Sequence, residues 1–367
     1  MHALSALDAD SLDWGWILRR AQGERLAPLL YALFRTLPSP VPILDRLRTA
    51  WVAGTRAHLL GVEQLRVILS AFEREGLPAI PLKGPVLGEA LYRDPALRPF
   101  TDLDLLIHRA DLPRALQLLS SLGYRHLAAG RPLEFELAYA GAACFVSTSR
   151  EPAELPLDLH WELLTHPGVA PARVVDSREF WDRGVKVEGW SRPTLTLCPE
   201  DLLIYLALHW AVHHAFAGLI WKLDLALLLR RHGGTLDWDA IAERAHRWRV
   251  RGALYFALRE VQEHFGVEVP PSLVARIRPR GLRRSALDWL RHRRHEQLER
   301  LDYLIPFLLL DGGFDPLWLL ATGAVPPAGW VRSRYGGRSL LRAYLAHYGR
   351  LGKICARMMR AGVGAGD

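Results

Sequence analysis

Between Arg98 and Ile107 the chain reads Arg-Pro-Phe-Thr-Asp-Leu-Asp-Leu-Leu-Ile, and no other stretch limits the fold as much. In a strand, successive side chains point to opposite faces. Asp102 and Asp104 then share one face, while Leu103, Leu105 and Ile107 share the other. Two carboxylates are presented together in front of a buried backing. Hard oxygen ligands held this close suit Mg²⁺ or Mn²⁺, which neutralise and orient the phosphates of a nucleotide. Phosphoryl or nucleotidyl transfer is the chemistry to expect.

The surrounding segments supply a setting for such a strand. Apolar residues recur at helical spacing from Ser11 to about Phe34 and from about Ile43 to Glu75, with Pro38, Pro40 and Pro42 marking the break. Leu77 to Leu82, interrupted by prolines, reads as an edge strand, followed by the turn Lys83-Gly84 and a helix to about Leu91. After the Asp102–Ile107 strand, Asp111 caps a helix that ends near Leu122-Gly123. Short strands are expected at Tyr124–Leu127, Leu133–Tyr139 and Ala143–Ser147, and a clearer one at Leu155–Trp161. In that last strand Asp158 and His160 share a face opposite Leu157, Leu159 and Trp161, so a third carboxylate is available to a metal site. Beyond Pro199 the pattern is helical: 200–216, 219–231, 238–248, 252–265, 282–310 and 340–359. The expected organisation is α+β, a small mixed sheet with flanking helices over 76–195, between a helical N-terminal region (1–75) and a helical C-terminal domain (196–367).

Several of these residues together carry a resemblance. Leu82-Lys83-Gly84, Leu91 to Pro95, Arg98 followed by Thr101-Asp102-Leu103-Asp104-Leu105-Leu106, and Asp158-Leu159-His160-Trp161 resemble the pattern of an uncharacterised bacterial nucleotidyltransferase-like family. The likeness extends to His209, His213, Leu219, Trp221 and Asp224, and to the segment from Pro326 to Tyr335. That family is placed in the polymerase-β-like nucleotidyltransferase superfamily, whose fold the resemblance implies here. It also implies that Asp102, Asp104 and Asp158 are the catalytic metal ligands, holding two divalent ions, with Asp158 activating the attacking hydroxyl. Where the wider superfamily has Gly-Ser at the phosphate turn, this chain has Lys83-Gly84. A glycine there lets backbone N–H groups approach a triphosphate, and an adjacent lysine adds a positive charge. Lys83, Gly84 and Arg98 are the candidate nucleotide-binding residues, with Arg93 behind them. The expected reaction moves a nucleoside monophosphate from an NTP to an acceptor hydroxyl, releasing pyrophosphate. Small molecules, glycans, RNA and protein side chains are all open as acceptors. Two alternatives stand beside it: a non-catalytic nucleotide-binding or scaffold protein that keeps the fold, and a toxin-like enzyme modifying tRNA or a protein.

Composition narrows the setting. With 367 residues, half of them hydrophobic, the chain can bury a substantial core. Its formal net charge is +8, yet only Lys83, Lys186, Lys222 and Lys353 among the 47 basic residues are lysines. Such an arginine bias matches a GC-rich bacterial genome, so charge alone does not select nucleic acid over nucleotide or glycan. Cys144, Cys198 and Cys355 lack metal-type spacing, and Cys144 reads as a small buried hydrophobe. With acidic residues at Asp8, Asp10 and Asp13 and no basic-then-apolar leader, a cytoplasmic protein is expected. The apolar stretches 202–229 and 304–330 are interrupted by His, Lys, Asp and Pro, and read as buried helices without a membrane span. His209 and His213 stand four apart on a helix but lack the Glu of a metalloprotease motif, so they read as helix-face histidines packing toward the sheet, with Asp224 as a partner. The arginines between Arg276 and Arg300 read as the solvated face of an amphipathic helix, with RNA or an acidic partner as the competing reading.

Overall fold

Helix α3 (Leu44–Arg74) shows how the sequence builds its layers. Its buried residues Gly54, His58, Gly61, Leu65, Ile68 and Phe72 fall at alternating spacings of four and three, a stripe along one side of a helix. The stripe needs a partner layer and finds it in the sheet. At Gly61 a Cβ would stand 2.7 Å from the Phe100 ring, so only glycine lets the segment ahead of the acidic strand lie this close. In this computed structural model the described residues are 12–37, 41–128, 132–148, 154–163, 177–187, 194–214, 216–281, 284–285, 311, 321, 323–336 and 339–363.

The sheet has five strands: β1 (Ala79–Pro81), β2 (Leu103–Ile107), β3 (Tyr124–His126), β4 (Ala142–Ser147) and β5 (Leu157–His160). Their order is β1-β2-β5-β4-β3, with β2 and β5 parallel and every other pair antiparallel. The architecture is a small mixed sheet among many helices, an α+β fold. β1 is an edge strand, where Pro81 costs the ladder least. Leu103, Leu105, Ile107, Leu157 and Leu159 all face α3 and α5 (Leu112–Ser121), packing on Leu65, Ile68, Phe72, Ala115 and Leu119. Each side chain so buried contributes about 1.5–3 kcal/mol of transfer free energy. A one-residue slip would expose all of them and turn the acids into the core, so burial enforces the register that presents the carboxylates.

On the other side, Ile80, Leu82, Leu87 and Leu106 join a larger core with the helices of the C-terminal half. The first helices are α1 (Trp14–Gly23) and α2 (Ala27–Phe34), and α4 (Pro85–Leu91) follows β1. Next come α6 (Leu133–Tyr139) and α7 (Arg178–Asp182), and then α8 (Pro199–Leu208), α9 (Leu219–His232) and α10 (Trp238–Arg247). Helices α11 (Arg251–Phe265), α12 (Pro271–Ile277), α13 (Ala328–Tyr335) and α14 (Leu340–Val363) complete the described set.

Two readings of local structure are corrected. Leu133–Tyr139 is helix α6, not a strand: its apparent alternation is two i,i+4 pairs, Leu133 with Leu137 against the sheet core and Phe135 with Tyr139 against Trp330. Asp111 stands at the start of α5, but its side chain makes no capping bond there. The hairpin of β6 (Val185–Val187) and β7 (Thr194–Thr196) is additional to the expected strands. The expected helix over 282–310 and most of the basic run lie outside the described residues. Among the described residues no helix is long and apolar enough to cross a membrane.

Candidate active site

The parallel pairing of β2 with β5 sets Asp104 opposite Asp158, with His160 one pleat further along the same face. Asp104, Asp158 and His160 each offer a ligand atom, and these atoms lie within 4.8 Å of one another. Asp104 is only 4% exposed, whereas Asp158 and His160 are partly buried. His160 Nε2 lies 3.1 Å from Asp104 Oδ1, so this imidazole orients Asp104. The Lys83 ammonium is 2.9 Å from the same oxygen. Burial alone would raise the Asp104 pKa, but Lys83 and then His160 overcome it and hold the carboxyl well below its usual range. Burial likewise opposes the Lys83 charge, and Asp104 and Tyr205 more than restore it. Two carboxylates and one imidazole converging this closely fit a single divalent cation.

Asp102 precedes β2, half-buried, and is not one of the three converging groups. Burial, and then repulsion from Asp104, push its pKa up, with Lys83 acting in the opposite direction. Cys144 of β4 lies opposite Asp158. Expected as a buried hydrophobe, it is only partly buried, and burial and then the Asp158 carboxylate push its thiol pKa up.

Beside the carboxylates runs the Lys83-Gly84 turn. The Leu82 N–H donates to the Asp104 carbonyl at 3.1 Å, which ties the turn to β2. Gly84 has φ +58° and ψ −122°, a conformation that side chains disfavour, and a Cβ there would stand 3.4 Å from the Asp102 carbonyl oxygen and 3.6 Å from the Phe100 ring. Arg98 lies behind this turn and faces inward. Its Nε donates to both Asp224 carboxylate oxygens at 3.1 Å, and its Nη2 to Oδ2 at 2.9 Å. Its Nη1 reaches the Gly84 carbonyl at 3.5 Å. The guanidinium that sequence assigned to a phosphate tail is thus committed to Asp224, which also accepts from the Tyr92 hydroxyl at 2.7 Å. Asp224, expected to pair with a histidine, is corrected to the partner of Arg98 and Tyr92.

Helix α8 continues as one π-helical turn, His209–His213. The wider turn brings residues five apart together: His209 Nε2 and His214 Nε2 are 3.1 Å apart. His209 Nε2 is also 3.3 Å from Lys83 Nζ, so it accepts from the ammonium and stays uncharged. Burial, and then Lys83, hold His209 far below its ordinary pKa and push His214 down to about 4. His213, at the end of the turn, is exposed. The His214 ring stacks on Trp221 at 4.5 Å, and Tyr205 stands beside Lys83 from the same helix. Lys83 is therefore held from three sides by Asp104, His209 and Tyr205.

Sequence reasoning missed Arg25, between α1 and α2. It takes a left-handed φ of +57°, unusual without glycine, and its guanidinium sits 5.7 Å from the Trp221 ring centroid. Glu24 pins the turn by accepting from the Leu219 N–H at 2.6 Å. From there the Arg25 charge adds to burial and Lys83 in lowering the His214 pKa, and at Asp102 it opposes, without reversing, the upward push of burial and Asp104. A Gly-Glu-Arg turn after a helix gives no sign of this role.

Residues 10–266, which contain every side chain of this constellation, match a family described as "Uncharacterised nucleotidyltransferase". No curated protein matches the chain.

Proposed function

The chain belongs to the uncharacterised nucleotidyltransferase family, and from that premise we propose that it transfers a nucleoside monophosphate from an NTP to a hydroxyl acceptor. The acceptor oxygen forms a bond to the α-phosphorus, the bond from that phosphorus to the bridging oxygen breaks, and pyrophosphate leaves. The observation that carries this reading is the convergence of Asp104, Asp158 and His160 next to the Lys83-Gly84 turn. A bound divalent cation, Mg²⁺ or Mn²⁺, would neutralise and orient phosphate oxygens there. Asp104 and Asp158 would hold it, and Asp102, half-buried just ahead of β2, is the remaining carboxylate for a second ion of the expected pair.

The remaining roles are part of the same proposal. Asp158, partly buried opposite Asp104, takes the proton of the attacking hydroxyl in this reading. Lys83 and Gly84 receive the β- and γ-phosphates. Arg25 is the second cation of that subsite, because Arg98 is spent on Asp224 and acts by fixing the turn. The helical C-terminal part, which carries His213 and Trp221, would shape the acceptor pocket.

The test is transfer of α-labelled NTP into pools of small molecules, glycans, RNA and protein, with simultaneous assay of pyrophosphate. Label transfer that needs divalent metal and disappears in Asp158→Asn supports the reading. Nucleotide that binds without pyrophosphate release on any acceptor pool would instead identify a nucleotide-holding protein.

A further inference from the structure

We propose that His160 is a direct metal ligand, making this a centre of two carboxylates and one imidazole that selects Mn²⁺ over Mg²⁺. The inference rests on the cation-site reading above and specifies which ion the site prefers. Its basis is the identity of the converging groups: the third ligand atom within 4.8 Å of the Asp104 and Asp158 carboxylates is an imidazole nitrogen, and Asp102 is not in the set.

Backbone register makes this placement a consequence of the fold. His160 follows Asp158 by two residues on β5, so the pleat sends both side chains to the same face as Asp104. Its Nε2 is aimed at Asp104 Oδ1, 3.1 Å away, and so into the space between the carboxylates. As a ligand the neutral imidazole presents the Nε2 lone pair and carries its proton on Nδ1.

The donor set then decides between ions. Mg²⁺ demands oxygen ligands in near-ideal octahedral geometry and is reluctant to shed water. Imidazole nitrogen favours first-row transition ions, of which Mn²⁺ also accepts carboxylates readily. Charge acts in the same direction. The Lys83 ammonium, 2.9 Å from Asp104, offsets part of the negative charge on which a hard dication depends. Affinity therefore leans on the nitrogen.

The full chain loaded with Mn²⁺, without nucleotide, is examined by pulsed electron paramagnetic resonance, which detects nitrogen bound directly to the ion. Wild type is expected to show ¹⁴N modulation, replaced by the ¹⁵N pattern in protein labelled at histidine. His160→Ala should abolish it and weaken Mn²⁺ binding about tenfold or more, on the scale of lost ligand-shell groups, with Mg²⁺ binding much less affected. Mn²⁺ that binds through Asp158, shown by its loss in Asp158→Asn, but without histidine nitrogen overturns this inference and leaves the cation site standing. Equal affinities for Mg²⁺ and Mn²⁺ overturn the selectivity. Failure of wild type to bind either ion removes the cation site itself. His209 and His214 also stand near Lys83, so a second variant, His160→Gln, keeps the assignment falsifiable if His160→Ala does not fold: histidine ¹⁵N modulation that persists in it overturns the inference.

Discussion

Replacing Asp224 with asparagine isolates what the Arg98 ion pair does for the site. The pair is deep, with side-chain exposures of 1% for Arg98 and 0% for Asp224. Asparagine preserves shape and opens no cavity, so the change is one of charge. It leaves the Arg98 guanidinium unpaired in the interior and deprives the Tyr92 hydroxyl of an ionised acceptor. Removing one partner of a buried pair costs about 3–5 kcal/mol, against a total stability on the order of 5–15 kcal/mol for a domain. Urea unfolding should show a lower midpoint with little change in slope, because the surface exposed on unfolding is unchanged. The double replacement Arg98→Met with Asp224→Leu should recover most of the loss, since it removes both charges together. Glu63→Gln, at the exposed pair with Arg66, serves as a control and should leave the midpoint unchanged. Where the Asp224→Asn protein remains folded, NTP affinity should also fall, because Arg98 Nη1 steadies the Gly84 carbonyl. A loss below about 1 kcal/mol with unchanged slope would refute the claim that this pair carries buried charge.

Further outcomes follow from the same geometry. Gly84→Ala should cost about 1–3 kcal/mol, because it forces a side chain into φ +58° and ψ −122°; calorimetric melting measures this, and an unchanged melting temperature contradicts it. Lys83→Met should tighten metal binding without nucleotide, since it removes a cation 2.9 Å from Asp104, yet weaken triphosphate binding more than monophosphate binding. Equal losses for the two nucleotides would assign Lys83 another role. His214, pushed down to about 4 from an unfolded value near 6.5, contributes stability above pH 6.5 that drains away as pH falls toward 4, because the unfolded chain takes up the proton first. By pH 5 this amounts to about 2 kcal/mol at ~1.4 kcal/mol per unit. His214→Phe, which keeps the stack on Trp221, should flatten that part of the melting-temperature profile, and an unaltered profile would exclude His214 as its source.

Period-two patterning made the faces of β2 and β5 legible, because a leucine on every alternate position leaves the acids one direction to point. The long N-terminal helix was equally readable from its apolar stripe. What sequence could not supply were distances set by remote packing. Arg98 turns inward only because Asp224, 126 residues away, is brought behind the turn by α9. The pairing of His209 with His214 needs a π-helical turn, which ordinary helical spacing does not announce. Leu133–Tyr139 fits both a strand alternation and two i,i+4 pairs, and only the positions of Trp330 and the sheet core decide between them. The β6–β7 pair has three-residue strands, with Val185 and Val187 exposed in one and the polar Thr194 and Thr196 buried in the other, so the hydrophobic pattern of the sequence does not mark it.

The most direct test of the account is calorimetric titration of the four NTPs into wild type, Asp104→Asn and Asp158→Asn, with Mg²⁺, with Mn²⁺ and then with EDTA. Asp158 is the cleaner probe, because Asp104 is buried against Lys83 and its loss also perturbs folding. The account predicts binding that needs a divalent ion and both carboxylates. Equal NTP affinity in EDTA, or in both variants, would contradict it.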